Sequence, residues 1–170
     1  MITIQQAKAL GRYYSIYRNN LEELARLLGI EIWYITEGHF DGVSVILPNK
    51  RKIILVDILS KNPGRIRFTI AHEIGHIITR SRPENKEKVF FSIGRNTYQE
   101  KIANAFAVEL LMPKAAVYEC YKKGMSLTEL CKFFEVSKEA MLYRLNELGL
   151  KVKPELTKDT FIAKVANWGK

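Results

Sequence analysis

The sequence predicts an α+β fold in which a small antiparallel sheet packs on helices. Residues 3–28, 63–79 and 97–149 show helical periodicity, with cap and stop residues at the expected places. Residues 30–57 instead contain three short apolar runs separated by polar turns, the pattern of strands. The chain has 170 residues, of which 47% are hydrophobic. This is enough for one globular domain, alone or with a small appendage.

Two helices open the chain. The first is predicted from about Thr3 to Asn19. The second ends at Gly29, because glycine is a common helix stop. Its apolar face holds four leucines, Leu21, Leu24, Leu27 and Leu28.

Three strands follow, with sequences "IEIWYI", "VSVIL" and "IILVD". The turn-like stretches "EGHFDG" and "PNKRK" separate them. Because both connections are short, we expect an antiparallel meander in which each strand pairs with the next.

A long helix is predicted from Pro63 to about Thr79, with Asn62 as its N-cap. Residues 80–96 break the periodicity and indicate an exposed loop, with a short strand at "KVFFS". Thr97 and Glu100 fit a capping box that opens the next helix, which ends before Pro113.

Three further helices are predicted after Pro113. The first runs from Pro113 to Gly124, and a capping box of Ser126 and Glu129 opens the second. Ser137 caps the third, which ends at Gly149. The tail "FIAKVANWG" is predicted to form one more short helix.

The bulk composition narrows the class of protein. The formal net charge is +9, which fits either a solvated basic surface or a nucleic-acid partner. Cys120 and Cys131 have no framework spacing, so we expect reduced thiols in a cytoplasmic protein. The N-terminus lacks a signal-peptide pattern, and no apolar run is long enough for a membrane span.

The stretch "RFTIAHEIGHIITR" at 67–80 places polar groups in an apolar helix. His72 and His76 are four residues apart, so both imidazoles leave one face of the helix and can bind one Zn²⁺. Glu73 lies about 100° round the helix, where it can act as a general base without being a ligand. Gly75 costs about 1 kcal/mol in a helix, so we expect it to admit a close-packed strand or substrate.

A catalytic zinc site needs a third protein ligand. Glu100 follows the loop after the first helix, and an antiparallel helix could direct its carboxylate at the metal. Asn104, one turn further, could accept the other ring N–H of a ligating histidine. The alternatives are His39, Asp57, Glu84, Glu87 and Glu109.

The stretch "RFTIAHEIGHIITR" followed by "EKIANAFAVELLMP" resembles the ImmA/IrrE family of gluzincin-like zinc metallo-endopeptidases. The resemblance covers roughly residues 20–150. It implies a zincin-like minimal metallopeptidase fold, with His72, His76 and Glu100 as zinc ligands and Glu73 as the catalytic glutamate. It also implies a protein substrate, typically a helix-turn-helix repressor encoded nearby in a phage or mobile element. Since only roughly 20 residues follow Leu150, we expect no sensor domain of the kind that some members carry.

On this interpretation residues 1–113 form the metallopeptidase core, including the N-terminal helices. Residues 114–150 form a helix-turn-helix-like segment, and 151–170 form a C-terminal tail. By fold analogy, we expect the substrate to add a strand at the sheet edge formed by 43–47.

The helix-turn-helix-like segment supports an alternative, a DNA-binding regulator with a structural or degenerate zinc site. Two residues of its second helix, Glu139 and Glu147, are acidic and would be repelled by phosphates. Five others form an apolar face suited to packing: Ala140, Met141, Leu142, Leu145 and Leu148. We therefore favour a structural or repressor-docking role for this segment over DNA binding.

Overall fold

The computed structural model describes residues 2–59, 61–79, 88–91 (as backbone) and 97–152. In these ranges the helices are α1 (Ile4–Tyr14), α2 (Leu21–Leu27), α3 (Pro63–Thr79), α4 (Tyr98–Leu111), α5 (Lys114–Lys122), α6 (Leu127–Phe134) and α7 (Lys138–Glu147). A 3-10 helix at Ser15–Tyr17 follows α1. The strands are β1 (Ile30–Ile35), β2 (Gly42–Ile46), β3 (Lys52–Asp57) and β4 (Lys88–Phe91). The predicted α+β class is confirmed, while the predicted tail helix lies outside the described residues.

The sheet has the order β1-β3-β2-β4 and is mixed. The expected hairpin of β2 and β3 is present, but β1 pairs with β3 in parallel. The prediction of an antiparallel meander was therefore wrong. Residues 36–41 carry the chain across the end of β3, a span of about 10 Å for two strand spacings. Asp57 at the end of β3 holds this crossing by accepting a hydrogen bond from the Gly38 N–H.

The strand β4 pairs with β2 in antiparallel register, with Ser44 opposite Phe90. The sheet edge expected to be free at 43–47 is therefore occupied by β4. Among the described strands, β1 and β4 are the two at the edges. The local pattern could not show this, because β4 lies about 40 residues further along the chain.

The helix α3 is the core element of the fold, and it packs against β2, β3 and α4. A Cβ on Gly75 would lie 3.0 Å from Phe106 Cδ1 and 3.1 Å from the Ala103 carbonyl oxygen. The glycine therefore admits the neighbouring helix α4 rather than the strand or substrate expected from the sequence. Gly11 of α1 makes a similar close approach to the backbone of α4 at Phe106.

The predicted caps explain where the later helices begin. Thr97, Ser126 and Ser137 each accept a hydrogen bond from a backbone N–H in the first turn of α4, α6 and α7. At the start of α3, Asn62 Oδ1 accepts from the Arg65 N–H at 2.9 Å. These local signals fixed most helix starts correctly.

The helix α7 is joined to the core by buried and partly buried ion pairs. Arg144 is 1% exposed, and it contacts Glu109 of α4 and Glu147 of its own helix. Glu147 also pairs with Lys8 of α1. One detail differs from the sequence interpretation, because Leu142 of the expected apolar face is 37% exposed.

Cys120 and Cys131 are free thiols, as the sequence predicts. In the described part of the chain, no helix combines the length and apolar character needed to cross a membrane.

Candidate metal centre

The helix α3 presents His72 and His76 on one face, one turn apart. Their ring centroids are 4.5 Å apart and the rings are nearly perpendicular, at 87°. Both side chains are almost fully buried. The i, i+4 spacing on a regular helix is sufficient to place them together.

Glu100 enters the same space from the first turn of α4. Its backbone N–H donates to the Thr97 hydroxyl, and this cap fixes the start of the helix. Its carboxylate lies 3.1 Å from His72 Nε2 and 3.1 Å from His76 Nε2. One ligand atom from each of the three residues lies within 4.8 Å of the others.

Asn104 contacts the opposite side of the His72 ring, with its Oδ1 2.8 Å from Nδ1. Since an amide oxygen only accepts hydrogen bonds, Nδ1 carries the proton in the neutral ring. The lone pair of His72 is then on Nε2, the atom that faces Glu100. Phe68, one turn before His72, stacks on the ring at a centroid distance of 6.4 Å. Asn104 thus selects the tautomer needed for a metal ligand, and Phe68 restricts the ring.

Glu73 lies between α3 and the sheet and is fully buried. A Cβ on Gly42 would lie 3.1 Å from Glu73 Cγ and only 2.5 Å from Thr69 Cγ2. The absence of a side chain at the first residue of β2 therefore leaves the space that Glu73 occupies. Sequence reasoning missed Gly42, because the "DG" pair looks like an ordinary turn.

The other candidate ligands are not part of this cluster. His39 is exposed in the connection between β1 and β2, and Glu84 and Glu87 lie outside the described residues. Glu109 is buried beside Arg144, with a nitrogen–oxygen distance of 2.7 Å. In the described part of the chain, the group of side chains suited to a metal is His72, His76 and Glu100.

Asp57 is also committed to the fold. Its carboxylate accepts a hydrogen bond from the Leu59 N–H at 2.9 Å and lies 3.2 Å from Lys61 Nζ. The Leu59 hydrogen bond, with those from Lys61 and Gly38, outweighs burial and holds the pKa of Asp57 below its ordinary value.

The chemistry of the converging atoms fits a divalent transition metal. Two imidazole nitrogens and one carboxylate oxygen are typical protein ligands of a catalytic zinc, which keeps a further position open. Their burial, the short distances between them and the hydrogen bond that His72 Nδ1–H donates to Asn104 fit such an ion.

A family model described as the IrrE N-terminal-like domain, Peptidase_M78, matches residues 25–146. This range contains the sheet, both histidines, Glu73, Glu100 and the later helices. The chain belongs to this family. The match confirms the family resemblance found in the sequence and places the chain in a metallopeptidase group.

Two named proteins are similar in sequence to this chain. It is 30% identical over 131 residues to the "Radiation response metalloprotease IrrE" of Deinococcus radiodurans, a match covering 73% of this chain and 39% of that protein. It is 30% identical over 147 residues to "Uncharacterized immunity region protein 2" of Bacillus phage phi105, covering 82% of this chain and 89% of that protein. The chain thus spans well under half of the first relative and most of the second.

Proposed function

We propose that the protein is a zinc-dependent endopeptidase that hydrolyses a peptide bond in a protein substrate. The observation that carries this proposal is the convergence of His72, His76 and Glu100 within 4.8 Å, with Glu73 on the same helix. A structural zinc site is usually closed by four protein ligands and needs no general base. A three-residue set with an adjacent glutamate matches a catalytic site instead.

Each residue has a distinct role in the proposed reaction. His72, His76 and Glu100 hold the metal, and Asn104 keeps His72 in the required tautomer. When bound, zinc polarises the scissile carbonyl and lowers the pKa of a water molecule towards about 7. Glu73 accepts the proton of the attacking water and later delivers a proton to the leaving amine. The missing side chain at Gly42 leaves room for the Glu73 side chain between α3 and β2.

We propose that the substrate is a helix-turn-helix transcriptional repressor encoded nearby, so that cleavage relieves repression. The phage relative supports this part of the proposal, because its name assigns it to an immunity region. The other relative is named for a radiation response, and this name supports a role in stress regulation.

The net charge of +9 favours a second candidate, direct DNA binding through the segment that contains α6 and α7. Two features of α7 weigh against it. Arg144 is buried and Glu147 pairs with Lys8 and Arg144, so neither is available to a base edge. Glu139 remains exposed on the same helix and would repel phosphates.

The test compares the wild-type chain with Glu73→Gln, using as substrate a helix-turn-helix repressor encoded beside the gene. Glu73→Gln should keep zinc and lose about 10²–10⁴-fold in cleavage rate, because a general base contributes about that much. The matched control is Glu119→Gln, which changes an exposed glutamate on α5 and should cleave normally.

Equal cleavage by Glu73→Gln and wild type would disprove the role of Glu73. If neither protein cleaves the repressor, and wild type retards DNA at physiological salt, the DNA-binding candidate is correct.

A further inference from the structure

Two rows of side chains continue beyond the candidate metal centre. On α3, Arg65 and Phe68 precede His72 at helical spacing, and on α4 Val108 follows Asn104 by one turn. The rows meet where Asn104 contacts His72. A groove of about 540 Å³ begins at Asn104 and Phe68 and runs along both rows away from the histidines.

The helix α7 forms the far wall of this groove through Ser137, Glu139, Ala140 and Tyr143. Its start is held close to α3, since a Cβ on Gly64 would lie 2.7 Å from the Ser137 nitrogen. A neighbouring cavity of about 390 Å³ shares Asn104, Val108 and Tyr143 with the groove. The two spaces share a wall at these residues, and the groove together with this cavity is called the furrow below.

The lining indicates the kind of occupant. Phe68, Val108, Ala140 and the Tyr143 ring supply an apolar floor and wall. The charges at the rim have both signs, from Arg65, which pairs with Asp41, and from Glu139. Such a rim does not select a strongly charged group. The volume is within the range of about 300–1,000 Å³ that is usual for ligand pockets.

We propose that this furrow, bounded by Phe68, Val108, Ala140 and Tyr143, binds a large apolar side chain of the substrate polypeptide beside the cleaved bond. The inference rests on the proposed endopeptidase activity and adds a specificity site to it. It also gives α7 a function, because this helix builds the outer wall of a substrate pocket.

The geometry limits how far from the cleaved bond this side chain lies. Phe68 precedes His72 by four residues, a rise of about 6 Å along α3. An extended peptide advances about 3.3 Å per residue. The bound side chain is therefore expected within about two residues of the scissile bond.

The test uses two variants that change the furrow in opposite ways. Tyr143→Ala removes part of the wall, and Ala140→Leu fills the space. Tyr143 is 61% exposed, so its removal should leave the fold intact. The matched control is Tyr13→Ala, which removes a 73% exposed tyrosine from α1.

Each variant is tested in two settings, both with a zinc-loaded full-length chain and a position-scanning library of synthetic decapeptides. In the Glu73→Gln background, retained peptides are identified by mass spectrometry, which measures binding without hydrolysis. With Glu73 intact, the cleavage sites in the same library are mapped.

We expect enrichment of Leu, Met, Phe or Tyr at one position. Tyr143→Ala and Ala140→Leu should each reduce that enrichment by at least about fivefold, the threshold of a significant contact residue. Tyr13→Ala should leave it unchanged. No enrichment in the Glu73→Gln background, or equal enrichment in all variants, would overturn the furrow proposal.

The two proposals fail in different ways. If peptides are bound with the expected preference but the intact protein cleaves none of them, the furrow binds an apolar side chain and the hydrolytic function is wrong. If cleavage occurs with a preference that neither furrow variant alters, the hydrolytic function is correct and the furrow assignment is wrong.

Discussion

Two clusters of polar side chains are built on the same helix, α4, and they differ in kind. One contains Glu100, which lies 3.1 Å from the Nε2 atoms of His72 and His76. The other contains Glu109, which lies 2.7 Å from Arg144 Nη2. Both connect α4 to another helix, and both place ionisable groups away from water.

The second cluster has a protein cation at its centre. Arg144 lies between Glu109 and Glu147, and its Nε–H donates to the Met112 carbonyl at 3.0 Å. The contact with Glu109 is an ion pair without hydrogen-bond geometry. The first cluster instead brings together three groups that all offer lone pairs. We infer that the Arg144 cluster stabilises the fold and that the histidine cluster is adapted to an added cation.

The largest expected effect concerns Arg144. Arg144→Met leaves the buried Glu109 with only the more distant and exposed Arg12, at 3.9 Å, as a cation. We expect the free energy of unfolding to fall by about 3–5 kcal/mol in urea titrations. The double variant Arg144→Met with Glu109→Leu should recover most of that loss, since no buried charge remains. Glu100→Ala in metal-free protein should cost only about 1 kcal/mol, because the Glu100 side chain is 22% exposed. Equal losses for Arg144→Met and Glu100→Ala would remove the proposed distinction.

The next largest loss of stability is expected from a change in the packing of α3 on α4. Gly75→Ala puts a methyl group 3.1 Å from the Ala103 carbonyl oxygen, and the backbone there has little freedom to move. Overpacking of this kind costs about 1–3 kcal/mol, measurable by thermal or urea unfolding. It should also weaken zinc binding, because Glu100 would be displaced with α4. Unchanged stability would show that the helices tolerate a wider separation.

A substitution at Asn104 should change metal binding without changing the stability of the fold. Asn104→Ala should lower zinc affinity about 10–100-fold in chelator competition, while the unfolding midpoint of the metal-free protein changes little. The mechanism is loss of the acceptor that fixes the His72 tautomer. Asn104→Asp retains an oxygen acceptor and should restore most of the affinity. If Asn104→Asp binds zinc as poorly as Asn104→Ala, the hydrogen bond is not the cause.

The smallest effect concerns Glu147, at the edge of the Arg144 cluster. Burial raises the pKa of its carboxyl, but the contacts with Lys8 and Arg144 outweigh this and the pKa is lowered overall. Its contribution is therefore present above the ordinary carboxyl pKa and is lost as the pH falls through the lowered value. Glu147→Gln should cost at most about 1 kcal/mol at pH 7, since the group is partly exposed. Urea unfolding should show the difference shrinking as the pH falls below the ordinary carboxyl pKa and vanishing once Glu147 is protonated in the folded state. A difference that persists there would indicate packing instead of charge.

The parts of the fold that depend on local signals could be predicted from the sequence. Caps at Asn62, Thr97, Ser126 and Ser137 located helix starts, because each cap uses hydrogen bonds within one turn. The histidine pair followed from i, i+4 spacing. Glu100 followed from its place after the loop and from the family resemblance, and Asn104 followed from its position one turn after Glu100. The structure brings both to His72.

The features that depend on long-range contacts could not be predicted. Short turns do not determine which strand lies between two others, so the parallel pairing of β1 with β3 was missed. Gly42 leaves room for Glu73 because it has no side chain, and the sequence does not show which residue would occupy that room. Arg144 looks like a surface residue because arginine is mostly exposed, and its burial depends on Glu109, 35 positions earlier.

Because several residues of α4 have different proposed roles, an insertion or deletion in this helix affects all of them. Within 14 residues this helix carries Glu100, Asn104, Val108 and Glu109. Each inserted or deleted residue turns the remainder of a helix by about 100°. A one-residue insertion or deletion between Glu100 and Asn104 would therefore rotate Glu100, the proposed ligand, away from its present alignment with the rest of the helix. The residues affected in the rest of the helix are Asn104, Val108 of the furrow wall and Glu109, the partner of Arg144. Substitutions can alter these roles singly, whereas a shift in helical phase separates them all in one event.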